Sequence, residues 1–461
     1  MDVVYNFLAD YVNVLLWDYF LTYGLLFAGL YFSIRFGFPQ ITRMWEAFKQ
    51  VFGKLFNKDA SQEGSMSSFQ ALATAIAAQV GTGNVAGVAT AILGGGPGAI
   101  FWMWVSAFLG MGTIFNEAIL AQVYRMRDRN KGDLVGGPAY YLSKGVGSNA
   151  LAKFFSVSLI VALGFIGNMV QSNSIASAVT TAFAIPEWVT GFLVALAAIL
   201  IFAGGMKRIA SFAEFVVPIM ALVYIVSSLV ILFLFRDNVV PALKMIFVGA
   251  FSPQAAIGGI AGASVRAAVQ KGVARGLFSN EAGMGSTPHA HAVAHVDHPV
   301  QQGLAAMVGV FIDTVVVCSA IALIILVTES YMDPALKGAQ VTQAAFSIAF
   351  GGSGSVLLAI CLTFFAFTTI IGWYYFGESN IKYLFGTKGV LPYQILVAIF
   401  IFLGALQEVD IVWMLADTFN ALMVIPNLFG LFFLSNQVKA VLEDYDRCKL
   451  EGRIFYDYDV K

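Results

Sequence analysis

Charge is what this chain has least of. Of its 461 residues only 11% are charged, 27 acidic and 26 basic, where a soluble domain carries roughly 25%. A net charge of −1 and the lack of a basic tail give no sign of a nucleic-acid partner. Cysteine is almost absent too. Cys318 and Cys361 lie in apolar runs and Cys448 in a charged tail, so no disulfide framework is implied. There is no P-loop, no HExxH, and no nucleophile paired with a base, which argues against an ATP-driven pump and against an intramembrane hydrolase. The first residues lack a basic stretch and a small-residue cleavage site, so no removable signal peptide is expected.

Apolar residues are plentiful, at 59% with a mean hydropathy of +0.79. A helix needs about 20 apolar residues to cross a bilayer. Eleven runs approach or exceed that length, near 14–36, 69–94, 98–124, 153–183, 187–206, 209–235, 265–292, 301–328, 354–381, 389–406 and 410–435. The composition is that of an all-α polytopic membrane protein. With the N-terminus outside, 20 of the 26 lysines and arginines fall inside and six outside. The positive-inside rule therefore predicts an outer N-terminus and a cytoplasmic C-terminus. Between the sixth and seventh runs, PALKMIFVGAF is amphipathic and too short to span, and reads as an external interfacial helix.

Two of the runs are unfit to be straight helices. The second, AIAAQVGTGNVAGVATAILGGG, is interrupted by Gly81-Thr82-Gly83-Asn84. Glycines around a threonine, followed by asparagine, favour an unwound turn. The seventh, VARGLFSNEAGMGSTPHAHA, sets Gly276, Gly283 and Gly285 around Ser279, Asn280 and Glu281, with Pro288 beyond. Unwound backbone in a membrane is tolerated where it lines a protein-buried or watery cavity. On the predicted topology the two broken runs cross in opposite directions, and each begins a set of five. The chain divides into an extra helix with a cytoplasmic segment (1–65), a first repeat (66–236), an external segment (237–264), a second repeat (265–436) and a cytoplasmic tail (437–461). Inverted repeats place their binding site at the midplane, between the broken helices.

The stretch GGGPGAIFWMWVSAFLG, Gly94 to Gly110, resembles the signature of the alanine or glycine:cation symporter family. GTGN and GLFSNEAGMGS are similar to further segments of that family, and the span pattern fits along nearly the whole chain. The resemblance implies the LeuT-like fold of the amino acid–polyamine–cation superfamily. It also implies Na⁺- or H⁺-driven uptake of alanine or glycine, D-alanine included as a candidate, with no cofactor and no obligate protein partner.

Within that frame the residues sort by chemistry. Amides near Thr82 and Gly83 start a half-helix and suit a carboxylate. Carbonyls near Phe278 and Ser279 suit an amine. Asn168 and Gln171 are three residues apart and share a helix face, either toward the pocket or as interhelical hydrogen-bonding glue, and Asn173 lies nearby. Trp373, Tyr374 and Tyr375, just after Thr369, are wall or lid candidates, and bulky rings would leave room only for a small side chain. Thr368 and Thr369 resemble the hydroxyl pair that, in Na⁺-coupled members of the fold, faces carbonyls of the first broken helix, here Ala77 and Val80. The bland reading is that both hydroxyls bond back to their own helix. Asn84, Ser279 and Asp313 match a second cation site, and Asp313 is a carboxylate in an apolar run. Glu117 reads as a brace for a break. Glu281 is open between brace and proton carrier. His289, His291, His295 and His298 read as interfacial and solvated rather than as a transition-metal site.

Overall fold

The computed structural model describes residues 7–53, 66–127, 133–252 and 264–457, and within them helices occur at each of the eleven expected places. Phe7–Leu21 runs on as Thr22–Arg35 to form α1. The second run is two half-helices, α2 (Ser68–Gln79) and α3 (Gly83–Gly95), bent by 43°. Then follow α4 (Ala99–Val123), α5 (Asn149–Phe183), α6 (Glu187–Phe202), α7 (Gly205–Leu234) and α8 (Arg236–Phe251). The seventh run is α9 (Val265–Asn280) and the one-turn α10 (Pro288–Ala292). The chain closes with α11 (Pro299–Val327), α12 (Ala339–Phe350), α13 (Gly352–Phe385), α14 (Val390–Ala405) and α15 (Val409–Leu450). Among the described residues, seven helical stretches are long and apolar enough to cross a bilayer, or eight with the bent pair counted as one.

Local chemistry sets the entry into each broken run. Ser67 caps α2 with a capping box: its side chain accepts from Gln70 N–H at 3.1 Å, and Gln70 Oε1 accepts from Ser67 N–H at 3.1 Å. Ser264 caps α9 by accepting from Ala267 N–H at 3.1 Å. The two broken runs lie side by side and antiparallel. Met66 N–H donates to the Val293 carbonyl at 3.0 Å, and Gln79 Nε2 donates to the Asn280 carbonyl at 2.7 Å. A Cβ built on Gly83 would lie 3.0 Å from Ser279 Cα, and one on Gly95 3.0 Å from the Ala267 carbonyl oxygen. Rising numbers on one run therefore meet falling numbers on the other. The next pair behaves alike: Gly303 of α11 fits against Phe115 of α4, and Trp104 of α4 donates to Ser319 of α11 at 2.7 Å.

Helix α1 lies outside this paired core, tied to α15 by Trp17 Nε1 on the Asp417 carbonyl at 2.9 Å. Three boundaries differ from the sequence reading. The first break falls at Val80–Thr82, with Gly83 and Asn84 already inside α3. The seventh run stays helical through Gly276, which is there for packing, since a Cβ would come 2.7 Å from Ser106 Oγ. Helix α15 continues to Leu450 instead of ending near 436, anchored at its end by Arg43–Asp446 (2.7 Å) and Lys449–Glu46 (2.9 Å). The segment between the sixth and seventh runs begins as α8, whose Ala250 carbonyl accepts from Trp102 at 3.1 Å. The remainder of that segment up to residue 263, and residues 54–65 of the predicted cytoplasmic segment, lie outside the described residues.

Candidate functional site

Breaking a helix frees amides and carbonyls, and the site is best read by asking where each one goes. At the first break Gly81 N–H turns to Asn84 Oδ1 (2.8 Å), and Thr82 N–H to Gln171 Oε1 of α5 (3.1 Å). The carbonyls of Ala77 and Val80, released from helical pairing, both stand within hydrogen-bond distance of Thr369 Oγ1 of α13, at 3.0 and 3.3 Å, and its one proton can serve only one acceptor at a time. Thr369 also reaches the Phe365 carbonyl at 3.1 Å, and Thr368 Oγ1 donates to the same carbonyl at 2.9 Å. Three carbonyls thus converge on Thr369 Oγ1, and Thr368 Oγ1 joins them through the Phe365 carbonyl, all uncharged. The approach is close: a Cβ on Gly81 would stand 2.3 Å from Thr369 Oγ1.

Several buried polar atoms around this break are left without a hydrogen bond: Thr82 Oγ1, Gln171 Nε2, Asn168 Oδ1 and Gln79 Oε1. Such atoms are rare in a folded interior and mark the place where a ligand or water would sit.

Three of the sequence-chosen residues meet on the other flank of α3. Asp313 of α11 accepts from Asn84 Nδ2 (2.7 Å) and from Ser279 Oγ (2.9 and 3.0 Å). Thr314 Oγ1 donates to it at 2.8 Å, and Cys318 Sγ stands 3.3 Å from both Asn84 Nδ2 and Ser279 Oγ. Asn84, Ser279 and Asp313 are fully buried.

The second break is held differently. Asn280 Oδ1 accepts from Ala282 N–H at 3.0 Å, while Gly283 and Gly285 N–H each donate to Glu117 of α4 at 2.9 Å. Asn427 of α15 donates to Glu117 (2.6 Å) and to the Gly283 carbonyl (2.9 Å), and accepts from the Tyr141 hydroxyl. Glu281 accepts from Trp373 Nε1 at 2.5 Å and from Ser286 Oγ.

Access differs at the two ends. At the α10 end the path is closed by backbone pairing of Met66 with Val293 and His295, and by Arg125 on the Ala294 carbonyl (2.8 Å). At the other end a cavity of about 410 Å³, lined by Asn13, Thr90, Lys271, Asp410 and Trp413, descends to the Arg275–Asp417 ion pair. Arg275 lies 4.8 Å from the Trp413 ring centroid, and Trp413 lies 4.7 Å from Phe278, which covers the break.

Residues 1–456 match the sodium:alanine symporter family. The chain belongs to that family. An uncharacterized transporter of Haemophilus influenzae is 45% identical over 434 residues, 94% of this chain and 93% of that protein. The sodium/alanine symporter AgcS of Methanococcus maripaludis is 44% identical over 438 residues, 94% and 95% of the two chains. Among solved structures, MhsT in complex with L-phenylalanine aligns with a TM-score of 0.56 at 13% identity, covering 83% of this chain and 99% of that one. That likeness gives the fold, LeuT-like, and with the family it makes the chain a multi-pass membrane transporter and not an enzyme.

For this family member some expectations need correcting. Tyr374 and Tyr375 do not wall the pocket: Tyr374 stacks on Phe202 at 3.6 Å, and Tyr375 reaches Met206 Sδ at 3.6 Å. Successive helical residues point about 100° apart, so only Trp373 of the three faces the breaks, 5.7 Å from Phe278. Asn168 Nδ2 bonds back to the Gly164 carbonyl at 3.0 Å and leaves its Oδ1 unpaired, while Asn173 is interhelical glue on the Gly404 and Gln407 carbonyls. Three of the four histidines are not solvated: His289, His291 and His298 are buried, and His295 is half-buried. His289 stacks between Phe155 and Phe376, and His291 Nδ1 meets Gln302 at 2.9 Å. The sequence reading missed Phe365, Gln79, Thr314 and Asn427. A carbonyl ligand such as Phe365 has no side-chain signal, but an amide at the edge of a break, as Gln79 is, had one.

Proposed function

We propose that the chain is a Na⁺-coupled symporter of a small neutral amino acid, alanine first and glycine second, with D-alanine as a further candidate. The observation that carries the reading is the group of five neutral oxygens from Ala77, Val80, Phe365, Thr368 and Thr369. Neutral hydroxyls and carbonyls can replace the water shell of Na⁺, but they do not take up a proton at physiological pH. Asp313, with Asn84 and Ser279, is the second candidate cation site. It is also the observation that favours a second reading, in which a buried carboxylate carries a proton.

The zwitterion fits between the breaks. Its carboxylate would meet the Gly83 amide at the positive end of α3, with Thr82 Oγ1 and Gln171 Nε2 as further donors. Its amine would turn to the Phe278 and Ser279 carbonyls at the negative end of α9, and to Asn168 Oδ1. Thr369 and Trp373 complete the walls. The near-contact of Gly83 with Ser279 keeps the space short, which favours a small side chain.

Transport would proceed by alternating access. The lysine and arginine bias sets the N-terminus outside and the C-terminus in the cytoplasm, in the cell membrane, so the cavity above Arg275–Asp417 is the external approach. Cation and amino acid stabilise the same closed form. The downhill movement of Na⁺ then drives the amino acid inward once the Met66–Val293 pairing opens.

The test is uptake of labelled alanine into proteoliposomes under an inward Na⁺ gradient, and under a proton gradient with K⁺ in place of Na⁺. Accumulation with Na⁺ alone is expected. Accumulation with protons alone would move the coupling to Asp313, and none with either would remove alanine.

A further inference from the structure

Three residues in the second break have positive φ: Glu281 (58°), Gly283 (94°) and Gly285 (79°). Two are glycine, the residue that adopts this conformation without strain. Glu281 takes it as the left-handed C-cap of α9, as Ala184 does at the end of α5, so what distinguishes the residue is where its side chain goes. Its carboxylate is fully buried and takes two hydrogen bonds, from Trp373 Nε1 at 2.5 Å and from Ser286 Oγ.

Trp373 is the residue so held, and it is confined on three sides. Its ring is edge-on to Phe278 at 5.7 Å, and a Cβ on Gly167 would meet it at 2.6 Å. Glu281 fixes the remaining freedom, rotation of the indole about its own long axis. Trp373 follows Thr369 by one helical turn, and its neighbour Gly372 touches Ala78 beside the first break.

We propose that Glu281 is a positioning residue for substrate size: it holds the Trp373 indole in the orientation that closes the side-chain end of the amino-acid pocket. The inference rests on the proposed amino-acid site between the breaks. Asp at 281 tolerates positive φ but is one methylene too short to reach the indole. Gln keeps a carbonyl oxygen for it.

The experiment compares initial uptake of alanine and of 2-aminobutyrate, one methylene larger, in proteoliposomes of wild type, Glu281→Asp and Glu281→Gln. In Glu281→Asp the preference for alanine is expected to fall by about tenfold through a higher alanine KM, the scale on which pockets discriminate one methylene. Glu281→Gln should restore the wild-type ratio. An unchanged ratio in Glu281→Asp, with kcat lowered by one factor for both amino acids, would reduce Glu281 to a brace and overturn the inference. Should Glu281→Asp not transport, quenching of tryptophan fluorescence by the two amino acids in detergent reads the same ratio from binding. Wild type that accumulates neither amino acid removes the substrate reading and this inference with it. Wild type that accumulates alanine beside a Glu281→Asp ratio that does not move removes only the role of Glu281.

Discussion

The two breaks solve one physical problem in opposite ways. At Val80–Thr82 the freed amides are met by the side chains of Asn84 and Gln171, and the freed carbonyls by one hydroxyl. Thr82 Oγ1, Gln171 Nε2, Asn168 Oδ1 and Gln79 Oε1 remain unused. At Glu281–Thr287 the freed amides of Gly283 and Gly285 end on a buried carboxylate, which Asn427 then ties to α15. Both oxygens of that carboxyl are engaged, Oε1 by Gly285 and Asn427 and Oε2 by Gly283, so the two glycine amides are fully used by it. On the proposed function the first break is mainly the receptive one, and the second, where Thr287 Oγ1 is the one buried polar side-chain atom left without a partner, is mainly a scaffold.

Gly81→Ala tests the receptive side and should have the largest effect. Its methyl would enter the space of Thr369 Oγ1, 2.3 Å away, between that hydroxyl and the two carbonyls. Na⁺-driven uptake should be lost, with the overpacking costing about 1–3 kcal/mol, read as a lowered thermal midpoint of purified protein that still unfolds in one transition. Retained Na⁺ dependence would mean that the hydroxyl group of atoms is packing and not a cation site.

Glu117→Ala tests the scaffold side. It strands two buried amides and the Asn427 amide, each worth about 1–3 kcal/mol when unsatisfied. A clear loss of thermal stability in detergent is expected, with the Na⁺ half-saturation of whatever protein survives unchanged. If Glu117→Ala instead altered Na⁺ affinity and left stability alone, the division of labour between the breaks would collapse.

How far this division was legible in the sequence depends on what kind of atom carries it. Glycine-interrupted apolar runs announce themselves, so both breaks and their opposed directions were readable. The partners Thr369 with Ala77 and Val80, and Asn84 with Ser279 and Asp313, came from resemblance, and the structure brings each set together. The exact break points were not readable, because α9 is carried through Gly276 by packing on α4 that no local rule foresees. Nor was the Phe365 carbonyl, since every residue has one. The bond between Glu117 and Asn427 spans 310 positions, and only the fold pairs them. The histidines misled because charge-capable residues near a run's end suggest water, whereas here the α10 turn folds inward against Phe155 and Phe376.

Thr369→Val sharpens the comparison within the first break. It keeps the shape and removes the hydroxyl that serves both Ala77 and Val80. Half-saturating Na⁺ should rise by about tenfold, the equivalent of one hydrogen-bond-sized loss of roughly 1.4 kcal/mol. An unchanged Na⁺ dependence would end the case for this site.

Thr368→Val should have the smallest effect, and its neighbour explains why. Thr368 Oγ1 lies within hydrogen-bond reach of the Phe365 carbonyl of its own helix (2.9 Å) and of Met220 Sδ of α7 (3.9 Å). It touches neither Ala77 nor Val80 directly, so its contribution to a cation passes through the carbonyl it shares with Thr369. Removing it frees that carbonyl from one competing donor while it deletes one oxygen, and the two effects oppose each other. A rise of about twofold in half-saturating Na⁺ is expected, below the worth of a full hydrogen bond. A loss as large as that of Thr369→Val would show that Thr368 turns toward the breaks when the cation binds. The five oxygens would then act as a cage that assembles on binding, and not one already standing.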